Sequence, residues 1–306
     1  MICRICTHNN LFPEILKNND KMFQSKELFD YFVCENCESL QIVSIPQNVS
    51  EFYPKDYYSF SSHISIKEKI IFSIRDWLLF LKLPSFLIKK INKKFPNLAL
   101  SAFLKVMRNK SATILDVGCG EGKFLKSIYQ LGFENCRGID PFISQEQKNP
   151  FPIEKKELSE INQKFDIICF HHVFEHLENV NQTLEKCQML LNKNGKIIIR
   201  VPVKDSFAFE TYKENWVQWD APRHFQLLTK KAFEILAQNN GFVIHDYYGD
   251  SYKFQFTGSE KYKRGKSYQT SNAIFTKTEL NYFTKKSIEL NKSGQADQVV
   301  VVLGMV

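Results

Sequence analysis

The stretch Ile114-Leu-Asp-Val-Gly-Cys-Gly-Glu-Gly-Lys-Phe-Leu125 constrains the fold more than any other. A short apolar run ends in Asp116. Gly118, Gly120 and Gly122 then alternate, and helical patterning resumes at once. Alternating glycines let the backbone turn sharply and let a ligand approach the main chain. A dinucleotide fingerprint would need the third glycine one residue later, so the pattern is D-x-G-x-G-x-G and not G-x-G-x-x-G. Downstream, strand-like runs alternate with helical ones: CRGID, FPIEKK, FDIICF, NQTLEKCQMLLNKNG and KIIIRVP. That rhythm predicts a doubly wound parallel α/β sheet.

These residues resemble the first motif of class I S-adenosylmethionine (SAM)-dependent methyltransferases. The resemblance is strongest over 111–248 and implies a seven-stranded Rossmann-like sheet. It implies that the glycines pass under the methionyl part of SAM and that Asp116 helps hold its amino end. Asp140, 20 residues after Gly120, would accept both ribose hydroxyls. Glu157 and Leu158 would flank the adenine, and His171 is placed on the cofactor side. GFVIHDYYGD and QVVVVLGMV would form the closing antiparallel pair, with a helical insert between them.

The fourth strand runs into His171-His-Val-Phe-Glu-His-Leu177. His172, Glu175 and His176 read H-x-x-E-H, a zinc-peptidase signature when taken alone. On a helix they would share one face. Their position argues against a peptidase, because ligands in open α/β sheets bind outside the carboxyl ends of strands, here beside the glycine loop. Sugar methyltransferases of antibiotic and surface-glycan pathways resemble this chain in a four-cysteine N-terminal module and a Glu-His pair after the fourth strand. That likeness makes His176 the general base of methyl transfer to a sugar-type acceptor, nucleotide-, lipid- or polymer-linked. Small-RNA 2′-O-methyltransferases carry E-x-x-E-H there plus a distant histidine, and ubiquinone-pathway O-methyltransferases a related acidic cluster. By that likeness His172, Glu175, His176 and His224 hold a divalent metal, and the acceptor is a hydroxyl on a lipid or RNA. A Glu-His pair that merely caps or braces the helix, or a non-catalytic assembly protein on the same fold, are further alternatives. Tyr212, Trp216, Trp219 and Arg223 lie in one loop; they either stack on the acceptor or form a packed lid.

Cys3, Cys6, Cys34 and Cys37 form C-x-x-C, 27 intervening residues, then C-x-x-C. Two such knuckles predict a small structural zinc ribbon over 1–45. Residues 1–45 are near neutral, which argues against nucleic acid. Residues 46–110 read as a linker followed by basic amphipathic helices. From Ile64 to Lys110 there are 11 Lys/Arg and 2 Asp/Glu, a surplus of nine, against a whole-chain charge of +8. That segment could dock on an anionic substrate or make peripheral membrane contact. Residues 111–306 form the SAM-binding domain. No signal peptide or membrane span is read, so a cytoplasmic protein, membrane-associated at most, is expected.

Overall fold

In a computed structural model, residues 1–53, Ile74 and 97–306 are described. Most of the linker and of the basic helices expected over 46–110, and with them most of the membrane-contact surface, lie outside the described residues. The final helix of that segment, α1 (Leu98–Val106), is present, with the Asn97 side chain accepting from the Leu100 amide. No helix of the described residues is long and apolar enough to cross a membrane.

The central sheet has seven strands: β4 (Ile114–Val117), β5 (Cys136–Ile139), β6 (Ile153–Glu154), β7 (Phe165–His171), β8 (Leu191–Pro202), β10 (Phe242–Gly249) and β11 (Gln298–Met305). Their spatial order is β10-β11-β8-β7-β4-β5-β6. β7 pairs parallel with β4 and β8, whereas β11 runs antiparallel to both β8 and β10. The central strands are predominantly apolar because helices cover both faces; all four residues of β4 are buried. On β8, Ile197 and Ile199 belong to one core and Ile198 to the other. Each such side chain, fully buried, contributes about 1.5–3 kcal/mol.

Helices α2 (Lys123–Gln130), α3 (Val180–Leu190) and α5 (Lys230–Asn239) connect strands. The expected insert between the last two strands holds α6 (Phe254–Lys263) and α7 (Lys277–Ser293). A short α4 (Phe207–Tyr212) precedes the Trp-rich loop.

Two expectations need correction. The N-terminal ribbon is not self-contained at residue 45. Its strands β1 (Ile15–Asn19), β2 (Leu28–Val33) and β3 (Leu40–Ile42) are completed by β9 (Gln226–Leu227), which pairs with β3. All four cysteines pack in the same core as Leu228 and Ala232. A ribbon with so little core of its own gains burial by sharing a sheet. The other correction concerns HHVFEHL, which is not an α-helix. His172 has a left-handed backbone (φ 58), and only Phe174–His176 form a 3-10 turn.

Candidate active site

A cavity of about 1800 Å3 opens at the carboxyl ends of β4, β5, β7 and β8. Gly118, Gly120, Asp140, Glu157, Leu158 and His171 are on its wall. Gly120 has φ +51, and a Cβ built there meets nothing within 4 Å, so the space beside this backbone is open. Both Asp140 oxygens already accept main-chain N–H groups, from Gly120 at 3.0 Å and Phe142 at 2.8 Å. A carboxylate has about four acceptor positions, so it retains capacity for two further donors.

Two predicted cofactor residues stand behind this wall. Asp116 is 3% exposed and is not on the cavity surface; burial, then the Asp140 charge, holds its carboxyl well above the usual range. Gly122 opens α2 at φ +71, where a Cβ would come within 2.5 Å of Ile153 Cδ1. Its role is packing. Replacing Gly120 by alanine is therefore expected to separate folding from binding. Stability falls by about 1 kcal/mol from the positive φ, while S-adenosylhomocysteine affinity drops roughly tenfold or more, about 1.4 kcal/mol. Calorimetry and a melting curve read the two effects separately.

Glu175, His176 and His224 are brought together, with potential ligand atoms all within 4.8 Å. Their hydrogen bonds set the tautomers. His176 Nδ1 lies 2.8 Å from the Arg223 carbonyl oxygen and 3.0 Å from the Tyr53 hydroxyl. A carbonyl only accepts, so Nδ1 is the donor, and in the neutral ring Nε2 is the nitrogen that holds the lone pair. His224 Nδ1 likewise donates to the Gln218 carbonyl at 2.8 Å. Burial, then His176, brings the His224 imidazole down to about 4, so it is neutral at neutral pH. Glu175 is 0% exposed, and neither of its oxygens accepts a hydrogen bond among the described residues. Burial pushes its carboxyl up, but His172, His176 and His224 outweigh that and bring it down to about 2. His172 Nδ1 lies 3.3 Å from Glu175 Oε1, although His172 is not part of the three-residue cluster.

The Trp-rich loop is a packed lid. Tyr212, Trp216, Trp219 and Arg223 are all buried, and none is on the cavity wall. Tyr212 donates to Glu260, and Trp216 Nε1 to Asp297 at 3.1 Å. Trp219 packs edge-on against Tyr31, ring centroids 5.5 Å apart. Arg223 is held by Asp20 (2.7 and 2.8 Å) and Asp220 (2.6 and 3.0 Å). No stacking face is left for a ligand. The aromatic wall comes instead from the insert: Tyr252, Phe254 and Tyr268 line the cavity, with Tyr252 and Phe254 stacked at 5.9 Å. Arg200 and Tyr53 line it too. None of these sits in a motif; only position at the end of a strand or ribbon could have suggested them.

At the N-terminus, Cys3 and Cys37 Sγ are 3.6 Å apart, as are Cys6 and Cys34. All four Sγ lie within 4.8 Å of one another. Tetrahedral zinc with Zn–S near 2.3 Å needs sulfurs about 3.8 Å apart. The Ile5 and Cys6 amides and the Gln41 side chain donate to Cys3 Sγ. The Cys37 contact and these donors bring the Cys3 thiol down to about 4 against the upward push of burial, while the same contact and burial push the Cys37 thiol up, so the pair shares one thiolate, the state a ligand needs.

A family model described as a methyltransferase domain matches residues 86–247, just over half of the chain. The ubiquinone biosynthesis O-methyltransferase of Nitrobacter winogradskyi is 28% identical over 166 residues, 45% of this chain and 61% of that protein. The mitochondrial counterpart from Saccharomyces cerevisiae is 23% identical over 167 residues, 49% of this chain and 51% of its own. The chain thus spans about half the length of these curated relatives. Among solved structures, an O-methyltransferase of a Brevibacillus brevis trans-AT PKS multienzyme, in complex with S-adenosyl-L-homocysteine, aligns with TM-score 0.47 and 16% identity. That alignment covers 80% of this chain and 81% of the other.

Proposed function

Because the chain belongs to the methyltransferase-domain family, we propose that it transfers a methyl group from SAM to a hydroxyl, with Glu175, His176 and His224 activating the acceptor. The carrying observation is the buried Glu175 carboxylate, which accepts no well-formed hydrogen bond among the described residues, has His172 Nδ1 3.3 Å from Oε1, and lies beside two imidazoles whose Nδ1–H groups are tied to main-chain carbonyls. A buried carboxylate so placed calls for a proton, a cation or a donor from a ligand.

SAM fits the open backbone at Gly120 and the unused capacity of Asp140, and when bound it supplies an electrophilic methyl on sulfur. The chain's residues do the rest. His176 Nε2, with its lone pair, takes the acceptor proton, and Glu175 stabilises the resulting imidazolium. The Arg223 carbonyl holds the ring in that tautomer. The Tyr252–Phe254 wall suits the flat apolar face of a sugar-type or aromatic ring.

The same cluster supports a second reading, in which Glu175, His176 and His224 hold a divalent ion. Two nitrogens and one oxygen suit zinc, iron or manganese better than magnesium. Such an ion would supply Lewis acidity to a hydroxyl. The four cysteines are assigned a structural zinc.

Elemental analysis of purified protein tests both assignments together. Under the general-base reading, one zinc per chain is expected, and activity survives a mild chelator that leaves this zinc in place. Under the metal reading, about two ions are expected, and the same chelator stops turnover. A protein with no zinc that keeps its melting temperature in strong chelator would remove the structural-zinc assignment. Absence of any thermal shift with S-adenosylhomocysteine would remove the function itself.

A further inference from the structure

Arg200 belongs to no motif and is not used by the mechanism above. It stands two residues before the end of β8. Side chains alternate along a strand, so it shares the face of Ile198 and not that of Ile199. It is 5% exposed, yet it is part of the cavity wall. Its Nε donates to Asp250 Oδ2 at 2.6 Å. Among the described residues no group accepts from its two terminal nitrogens.

Its partner across the parallel ladder is His171. Both His171 ring nitrogens are shut off from solvent without a partner. The His171 ring nitrogens are enclosed, whereas the Arg200 terminal nitrogens are not among the enclosed unsatisfied atoms, so it is the guanidinium that offers unused donors to the chamber. A ligand that supplies acceptors there gains charge-assisted hydrogen bonds.

Resting on the methyl-transfer reading, we propose that Arg200, oriented by Asp250, binds an oxyanion of the acceptor, a carboxylate or a phosphate. The guanidinium is a planar fork, and its terminal pair of nitrogens matches two oxygens of one anion. Asp250 engages Nε and not this terminal pair, and its Oδ2 is held in place by Gln298 Nε2 as well, at 3.1 Å. Tyr252, two residues beyond Asp250, places the stacked pair of aromatic rings on the same cavity wall. The acceptor that fits carries a ring, a hydroxyl to be methylated and an anionic group.

The test uses the full chain saturated with S-adenosylhomocysteine. Inorganic phosphate and benzoate are titrated separately against chloride at equal ionic strength. Wild type is expected to bind at least one of them saturably. Phosphate alone points to a phosphorylated acceptor, benzoate alone to a carboxylated one, and both to oxyanion recognition in general. Arg200→Met is expected to weaken that binding roughly ten- to hundredfold, with Arg200→Lys in between. Arg200→Met leaves Asp250 unpaired, so an Arg200→Met/Asp250→Asn variant accompanies it, and a cooperative melting curve with a native circular-dichroism spectrum certifies that each is folded.

Equal affinity in wild type and Arg200→Met overturns the proposal, and so does a wild type that binds neither anion. A loss of S-adenosylhomocysteine affinity in the folded double variant would assign Arg200 to the cofactor's own carboxylate and also overturn it. Wild type that fails to bind S-adenosylhomocysteine at all would count against the methyl-transfer reading instead.

Discussion

Replacing His176 by alanine is expected to lower kcat by about 100- to 10,000-fold, with S-adenosylhomocysteine affinity unchanged. The expectation follows from one hydrogen bond. The Arg223 carbonyl 2.8 Å from Nδ1 fixes the proton there and leaves Nε2 as the sole basic atom of the ring. Either chemical role of the cluster, proton acceptor or metal ligand, is performed by that atom. His176→Asn is a useful companion, since its amide can keep a donor toward Arg223 while lacking any atom at Nε2. Both variants should therefore lose turnover to a similar extent. Retention of activity within a few-fold, or a parallel loss of cofactor affinity, would sink the assignment.

The second large effect concerns stability. Arg223→Met should cost about 3–5 kcal/mol, because it leaves Asp20 and Asp220 buried and unpaired. In a chain of this size that corresponds to a fall in melting temperature on the order of 10 °C. Burial pushes the Arg223 guanidinium down, but the Asp220 and Asp20 carboxylates outweigh it and raise it above its ordinary value. Adding Asp20→Asn to Arg223→Met should recover part of the loss, since one orphaned charge is then gone. If Arg223 instead held the acceptor, the melting temperature would stay put and KM would rise.

Arg223 also shows why the sequence left this loop open between two readings. Two tryptophans, a tyrosine and an arginine near a predicted site suit a binding platform and a packed lid equally. What buries them is remote in the chain: Asp20 and Tyr31 from the ribbon, Glu260 and Asp297 from the insert and its flank. Conversely, Tyr252, Phe254 and Arg200 gave no local signal, because their exposure to the cavity depends on where β8 and β10 end in space. The ribbon boundary failed for a similar reason, as two residues at 226–227 supply its fourth strand.

Local spacing determined a good deal. The alternating glycines, the acid 20 residues on, the β/α rhythm and the paired C-x-x-C turns act over a few residues each, and periodicity records such short-range constraints directly. From them came the parallel sheet and the cysteine cluster, while the antiparallel close came from the family resemblance. HHVFEHL was legible as a site, but its geometry was not. The left-handed His172 breaks the helical face, and His224, 48 residues after His176, supplies the third member of the cluster. Contacts of that separation are chosen by how β7, the loop after β8 and the ribbon pack together. Only the tertiary structure carries them, because no period along the chain encodes which buried group will meet which.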